Sequence, residues 1–161
     1  MLVVDASAVV ELLLSTPVGA QVAARLGPDH TLHAPDLLGV EVVSVLRRLH
    51  RLDQLAAADS DRALVDLRAL GIASYEHEPL LGRALALRDS LTAYDATYVA
   101  LAEALGAPLL TCDRKLAGSS GHGADVVLVG GGRASGAAGL RGRGGRSEGT
   151  GGDLGLEAGQ E

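Results

Sequence analysis

The apolar positions of this chain fall into short solid runs separated by longer periodic stretches. Leu2-Val3-Val4 is wholly apolar, as a strand buried on both faces is, and it stops at Asp5. Ser7 then predicts the N-cap of a helix through Leu14. Pro17 suits the first turn of a second helix to Leu26, closed by Gly27-Pro28-Asp29. Thr31-Leu32-His33 predicts another short strand. After Asp36 as a cap, LLGVEVVSVLRRLHRL reads as a long helix, with Arg47, Arg48 and Arg51 toward the C-terminal end that cations favour. A helix over 58–70, capped by Asp59 or Ser60, a strand over 72–76 and a helix over 79–89 follow in the same pattern.

The stretch 91–116, LTAYDATYVALAEALGAPLLTCDRKL, organises the rest. Thr92 stands three residues before Asp95, as in a capping box with Asp in place of the usual Glu or Gln. Tyr94, Tyr98, Leu101 and Leu105 keep helical spacing and predict an inward face. Gly106-Ala107-Pro108 ends that helix, and Leu109-Leu110-Thr111-Cys112 supplies a short buried strand that stops at Asp113. A helical turn, a loop over 118–123 and a last strand over 125–129 complete the pattern. Strands alternate with helices and no internal repeat is present, which predicts an α/β fold with a parallel sheet. The short turn after the helix returns the chain beside it, so Asp95 and Asp113 are expected at one end of the sheet, where open parallel sheets hold their sites.

Composition changes the picture at the C-terminal end. Residues 130–161 hold thirteen of the 22 glycines and no aromatic residue. Such a segment buries too little surface to offset its ordering entropy, so a disordered tail is expected after a folded unit over 1–129. The tail carries four arginines and four acids, which leaves the net charge of −6 to the folded part. That charge opposes a nucleic-acid partner, unless acids cluster around divalent cations and are neutralised there. Cys112 is the only cysteine, which excludes an intrachain disulfide and fits a reducing cytoplasm. Asp5 and Glu11 interrupt the apolar N-terminus, so neither a signal peptide nor a membrane span is expected. With no Phe or Trp, only Tyr75, Tyr94 and Tyr98 are available to stack on nucleic-acid bases.

Four acids occupy awkward places. Asp5 ends the first strand, Glu41 interrupts an apolar helix face, and Asp95 and Asp113 bracket the organising stretch, in the settings VVDAS, GVEVV, AYDAT and LTCDRK. Buried carboxylates repel one another unless something compensates them. Oxygen ligands of this kind suit Mg²⁺ or Mn²⁺, and such ions assist in-line displacement at phosphate.

Over residues 1–129 the chain resembles the PIN-domain ribonucleases, and among them the toxins of VapC-type toxin–antitoxin pairs. VVDAS, Glu41, the stretch 91–116 and the closing VVLV run carry the resemblance. It implies a PIN-like fold with a short parallel central sheet flanked by helices. It implies that Asp5, Asp95 and Asp113 are metal ligands and that Glu41 reaches the metal through water or holds a second ion. Ser7 and Thr111 match small hydroxyl residues that support the site. The implied activity is metal-dependent endonucleolytic hydrolysis of RNA to 5′-phosphate and 3′-hydroxyl ends, with Mg²⁺ (or Mn²⁺) as cofactor. A small cognate antitoxin and a homodimer are the implied partners, in the cytoplasm. Arg114 and Lys115 are candidates for touching RNA phosphates. The tail departs from the family pattern.

Plainer readings compete at each position. Asp5 and Asp113 also suit helix caps, Asp95 suits a first helical turn, and Glu41 suits a core ion pair with an arginine such as Arg88. Ser7 and Thr111 suit capping or strand roles, and Arg114 and Lys115 a solvated pair. Cys112 reads as a small buried residue, and His30 and His33 as surface or loop residues without zinc spacing. RGRGGR in the tail matches RNA-binding tracts only in composition. Among whole functions, an RNA-processing nuclease without an antitoxin and a non-catalytic module on the same fold are the alternatives. An aspartyl phosphatase fits poorly, because its second acid would stand where Ser7 does.

Overall fold

A computed structural model describes residues 1–28 and 30–130. Five short strands form one wholly parallel sheet: β1 (Leu2–Val4), β2 (Leu32–Pro35), β3 (Ala73–Tyr75), β4 (Leu109–Thr111) and β5 (Val126–Leu128), in the order β3-β2-β1-β4-β5. β1 lies in the middle, with Val3 opposite His33 on one side and Leu109 on the other. Its three residues are all buried, as their apolar run requires. Helices α1 (Ala6–Leu13), α2 (Pro17–Leu26), α3 (Leu37–Arg51), α4 (Ala57–Ala69), α5 (Leu81–Ala86), α6 (Ala93–Leu105) and α7 (Arg114–Ala117) connect and flank the strands. This is the α/β architecture with a short parallel sheet that the alternating pattern predicts. Because all strands run the same way, their C-terminal ends share one edge.

α1 and α2 pack tightly. The chain reverses through Ser15, whose φ is +50°, and Thr16 caps α2 by accepting from the Gly19 N–H at 2.9 Å. Thr16 also donates to the Glu11 carboxylate. Gly19 is buried where the helices meet, and a Cβ on it would stand 2.0 Å from the Glu11 carbonyl oxygen. No single described helix is long and apolar enough to cross a membrane. α1 and α2 are so only when taken together, bent by 112°.

α6 is the most deeply buried helix. Every residue from Ala96 to Ala102 is buried, and Gly106 ends the helix in the left-handed conformation at φ +57°. Arg83 of α5 grips Glu103 of α6 through Nε at 2.7 Å and Nη2 at 2.9 Å, and the Gly123 N–H donates to the same carboxylate at 2.8 Å. The guanidinium holds the Glu103 pKa down to about 2.

Several local expectations need correction. Asp5, not Ser7, caps α1: its extended backbone ends β1, and its carboxylate accepts from the Ser7 N–H. Asp36 stands at the N-cap of α3 but makes no capping bond, because Ser74 donates to it instead. α4 starts at Ala57 without a side-chain cap, and Asp59 lies in its first turn. The helix expected over 79–89 divides into a 3₁₀ turn (Glu78–Leu80) and α5. Past Ala86 the N–H groups of Leu87, Arg88 and Ser90 bond three residues back, tightening the chain ahead of Thr92. β2 extends two residues past His33, and β5 is one residue shorter at each end than the strand expected over 125–129. His33 is buried in β2 and not on the surface. Its ring nitrogens meet Thr31 Oγ1 and Tyr75 Oη, each at 2.9 Å. Tyr94 faces solvent at 64% exposure, although its spacing places it on the inward face. The tail expected after Val129 lies outside the described residues apart from Gly130.

Candidate active site

β1 and β4 are neighbours, so the residues that follow them meet at the C-terminal edge of the sheet. Asp5 follows β1 and is buried to 7% exposure. Its Oδ2 accepts from the Ser7 hydroxyl, from Thr111 Oγ1 at 2.8 Å and from the Ser7 N–H at 3.3 Å. Ser7 Oγ accepts in turn from the Cys112 N–H, and Thr111 Oγ1 from the Asp113 N–H, each at 2.9 Å. Two hydroxyls thus pin the first strand's acid to the backbone that carries Asp113. Burial raises the Asp5 pKa, the bonds from Ser7 and Thr111 pull it back, and the charge of Asp95 adds to the rise.

α6 and α3 bring the next two acids. Asp95 sits in the first turn of α6, where the Thr92 hydroxyl donates to its Oδ2 at 2.7 Å and its own N–H returns to Thr92 Oγ1 at 3.2 Å. The second bond is one half of the capping box expected of these residues; in the first, the Asp95 carboxylate takes the Thr92 hydroxyl in place of the Thr92 backbone N–H. Glu41 lies on α3, half-buried, and accepts from Tyr98 Oη at 2.6 Å. Burial raises the Glu41 pKa, against the hydrogen bond from Tyr98, with repulsion from Asp5 and Asp95 added. The charge of Asp95 thus acts on both Asp5 and Glu41. The tyrosine also displaces the expected Arg88 pairing, since Arg88 bonds to the Leu85 carbonyl.

The Asp113 N–H is tied through Thr111 to Asp5, but the Asp113 carboxylate caps α7 by accepting from the Lys115 N–H at 2.7 Å. Asp5 and Asp113 are caps as well as members of the edge, so the plain and the functional positions coincide. Arg114 and Lys115 are exposed on α7. Cys112 is half-buried, and burial together with the charges of Glu11 and Asp5 raises its thiol to about 11, which leaves it a protonated, unreactive group. Sequence reasoning missed Tyr98. A phenol on an apolar helix face needs a polar partner, and Glu41 on an equally apolar helix needs a donor.

The donor set suits a hard divalent cation in its chemistry: carboxylate oxygens only, close enough to repel, on the ligand-binding edge of a parallel sheet. Among the described residues no three His, Cys, Asp or Glu side chains stand as a finished ligand array. Each carboxylate instead engages a hydroxyl or amide of the chain itself.

Residues 2–118 match the PIN domain family. Over 129 residues the chain is 43% identical to Ribonuclease VapC12 of Mycobacterium tuberculosis, covering 80% of this chain and 99% of that one. It is 41% identical to VapC ribonuclease Mb0985 of Mycobacterium bovis, covering 80% and 98%. Its fold superposes on the crystal structure of PAE2754 from Pyrobaculum aerophilum with a TM-score of 0.60 at 28% identity, over 78% of this chain and 82% of that one. The chain belongs to the PIN-domain family and, within it, to the VapC ribonucleases, endoribonuclease toxins. The resemblance carried by the acids is thereby met at the level of the family.

Proposed function

We propose that the acids of the sheet edge hold one or two Mg²⁺ or Mn²⁺ ions and hydrolyse RNA phosphodiesters to 5′-phosphate and 3′-hydroxyl ends. The observation that carries this reading is the gathering of carboxylates at the C-terminal edge of the sheet, where burial and the charge of Asp95 raise both Asp5 and Glu41 and a cation would offset that charge. Asp5, Asp95 and Asp113 are the ligands. Glu41 holds a further ion or orients the attacking water. A bound divalent ion supplies positive charge to the phosphate and lowers the pKa of water.

The chain's own residues do the rest. Ser7 and Thr111 fix the Asp5 carboxylate, so only small adjustments separate it from a ligating position. Tyr98 occupies Glu41 Oε2 and leaves Oε1 to accept the proton of water. Arg114 and Lys115, on the short helix after Asp113, contact phosphates of the bound strand.

The toxin works in the cytoplasm as a homodimer and is neutralised by a small cognate antitoxin, whose basic or aromatic segment meets the acidic edge. Residues 131–161 form a glycine-rich extension that is dispensable for cleavage. Truncation after Gly130 is expected to leave the melting temperature and the RNase rate within about two-fold of the full chain, since glycine-rich sequence has little surface to bury. A large fall in rate with melting unchanged would assign the extension to substrate binding.

Expression without an antitoxin is expected to arrest growth, and Asp5→Ala to relieve the arrest. Equal arrest by the Asp5→Ala protein at matched abundance would refute the nuclease site. In vitro, cleavage should require added Mg²⁺ or Mn²⁺ and stop in chelator. Mapping 5′ ends of cellular RNA after induction identifies the target.

A further inference from the structure

We infer that Tyr94 is the stacking platform for a nucleobase of the RNA beside the cleaved phosphodiester. This rests on the ribonuclease reading and adds to it a contact for the substrate's base. The whole chain contains no Phe or Trp and three tyrosines. Two of them are committed to the fold. Tyr98 is 1% exposed and donates to Glu41. Tyr75 is half-buried, bonded to His33 and tilted 45° against the imidazole with 5.7 Å between ring centres. Tyr94 alone presents its ring to solvent, and its hydroxyl has no partner among the described residues.

Its position makes that exposure useful. Tyr94 lies in the first turn of α6, between the capping Thr92 and Asp95. Helical side chains lean toward the N-terminus of their helix, which here is the end that delivers Asp95 to the acidic edge. Successive helical residues point about 100° apart, so the ring flanks Asp95 without covering it. The proposed occupant of that ring face is the base that neighbours a phosphate held at the acids, since Tyr94 directly precedes Asp95 in the same turn. The fold does not need the ring: α6 is held by the continuous buried run from Ala96 to Ala102. A π-face accepts any base, so the platform grips RNA without choosing its sequence. It also supplies attraction that a chain of net charge −6 does not obtain from long-range electrostatics.

The test is the affinity of the full-length protein for fluorescein-labelled 12-nucleotide oligoadenylate and oligouridylate, read by anisotropy. Ca²⁺ replaces Mg²⁺ so that the RNA stays whole. Tyr94→Ala and Tyr94→Leu should weaken binding about 5- to 150-fold, the range of a lost base–aromatic stack. Tyr94→Phe should stay within about two-fold of wild type. Val65→Ala, which trims another exposed apolar side chain, should change nothing. All four variants should melt as the wild type does. Wild-type affinity in Tyr94→Ala or Tyr94→Leu overturns the inference. So does a Tyr94→Phe loss equal to that of Tyr94→Ala, which would make the hydroxyl the contact. Wild type that cleaves cellular RNA yet binds neither oligonucleotide also overturns it. If wild type neither binds nor cleaves RNA under Mg²⁺ or Mn²⁺, the ribonuclease reading itself fails.

Discussion

Asp95→Asn is expected to melt at or above the wild-type temperature in chelator, to gain less from Mn²⁺, and to cleave RNA at least about a hundred-fold more slowly. The three effects have one cause. Asp95 adds to the charge that raises both Asp5 and Glu41, so removing it relieves repulsion in the metal-free protein. The amide keeps the shape and can still accept from the Thr92 hydroxyl, and the cap itself, Thr92 accepting from the backbone N–H of residue 95, is untouched. Binding of an ion to the native state alone adds about 2.7 kcal/mol at a hundred times its Kd, and the variant forfeits part of that gain. Changes in groups that merely support a metal ligand cost about 10- to 100-fold, so loss of a ligand should cost no less. Asp95→Ala separates the roles, since it loses both the charge and the hydrogen bond from the Thr92 hydroxyl and should forfeit about 0.5–1.5 kcal/mol of the relief. Thermal melting of the three proteins with chelator and with saturating Mn²⁺, beside an RNase assay, reads all of this. An Asp95→Asn protein that melts like wild type in both conditions and still cleaves would remove Asp95 from the site.

Gly19→Ala is expected to destabilise the protein by about 1–3 kcal/mol or more, a fall of several degrees in melting temperature. In an open helix the same change stabilises by up to about 1 kcal/mol, because glycine is the weaker helix former. The sign reverses here because the new Cβ would stand 2.0 Å from the Glu11 carbonyl oxygen, a backbone atom that no rotamer change moves aside. α1 and α2 would have to separate, and α1 begins at the capping Asp5. Gly82→Ala is the internal control, since nothing lies within 4 Å of a Cβ built there. It should melt at or above wild type. A Gly19→Ala protein that gained stability as Gly82→Ala does would show that the helices do not meet as closely as described.

Much of this arrangement was legible in the sequence, for identifiable reasons. Leu2-Val3-Val4 followed by Asp5 carries its own boundary, because a solid apolar triplet has only the sheet interior to occupy. Thr92, Asp95 and Gly106 mark both ends of α6 by local chemistry alone. The errors fall where tertiary partners decide. Ser7 is a good cap, but Asp5 stands two residues nearer the strand and takes that role, which frees the serine hydroxyl for the acid itself. Asp36 loses its cap to Ser74, a residue 38 positions away. His33 reads as a surface residue until Thr31 and Tyr75 are seen to satisfy both of its nitrogens. Tyr94 keeps the spacing of the buried face yet lies outside it, because helical period gives the direction of a side chain and not what stands opposite. The pairing of Tyr98 with Glu41 spans 57 positions. Each residue advertises an unmet polar need, but sequence alone does not join the two.

The two hydroxyls on Asp5 carry a consequence for how the enzyme is made. They belong to Ser7 and Thr111, and the second bond joins residues 106 positions apart. β4 must slot in beside β1 before the carboxylate is held and Asp113 delivered, so contacts of long range, the slow kind to form, complete the site. Ribosomes extend a chain at about 5–20 residues per second. For the seconds before Asp113 is made, the growing polypeptide carries at most three of the four acids that the proposed function uses and lacks the Thr111 hold on Asp5. On the proposed function, the site is completed only once the residues of β4 have been made and paired beside β1.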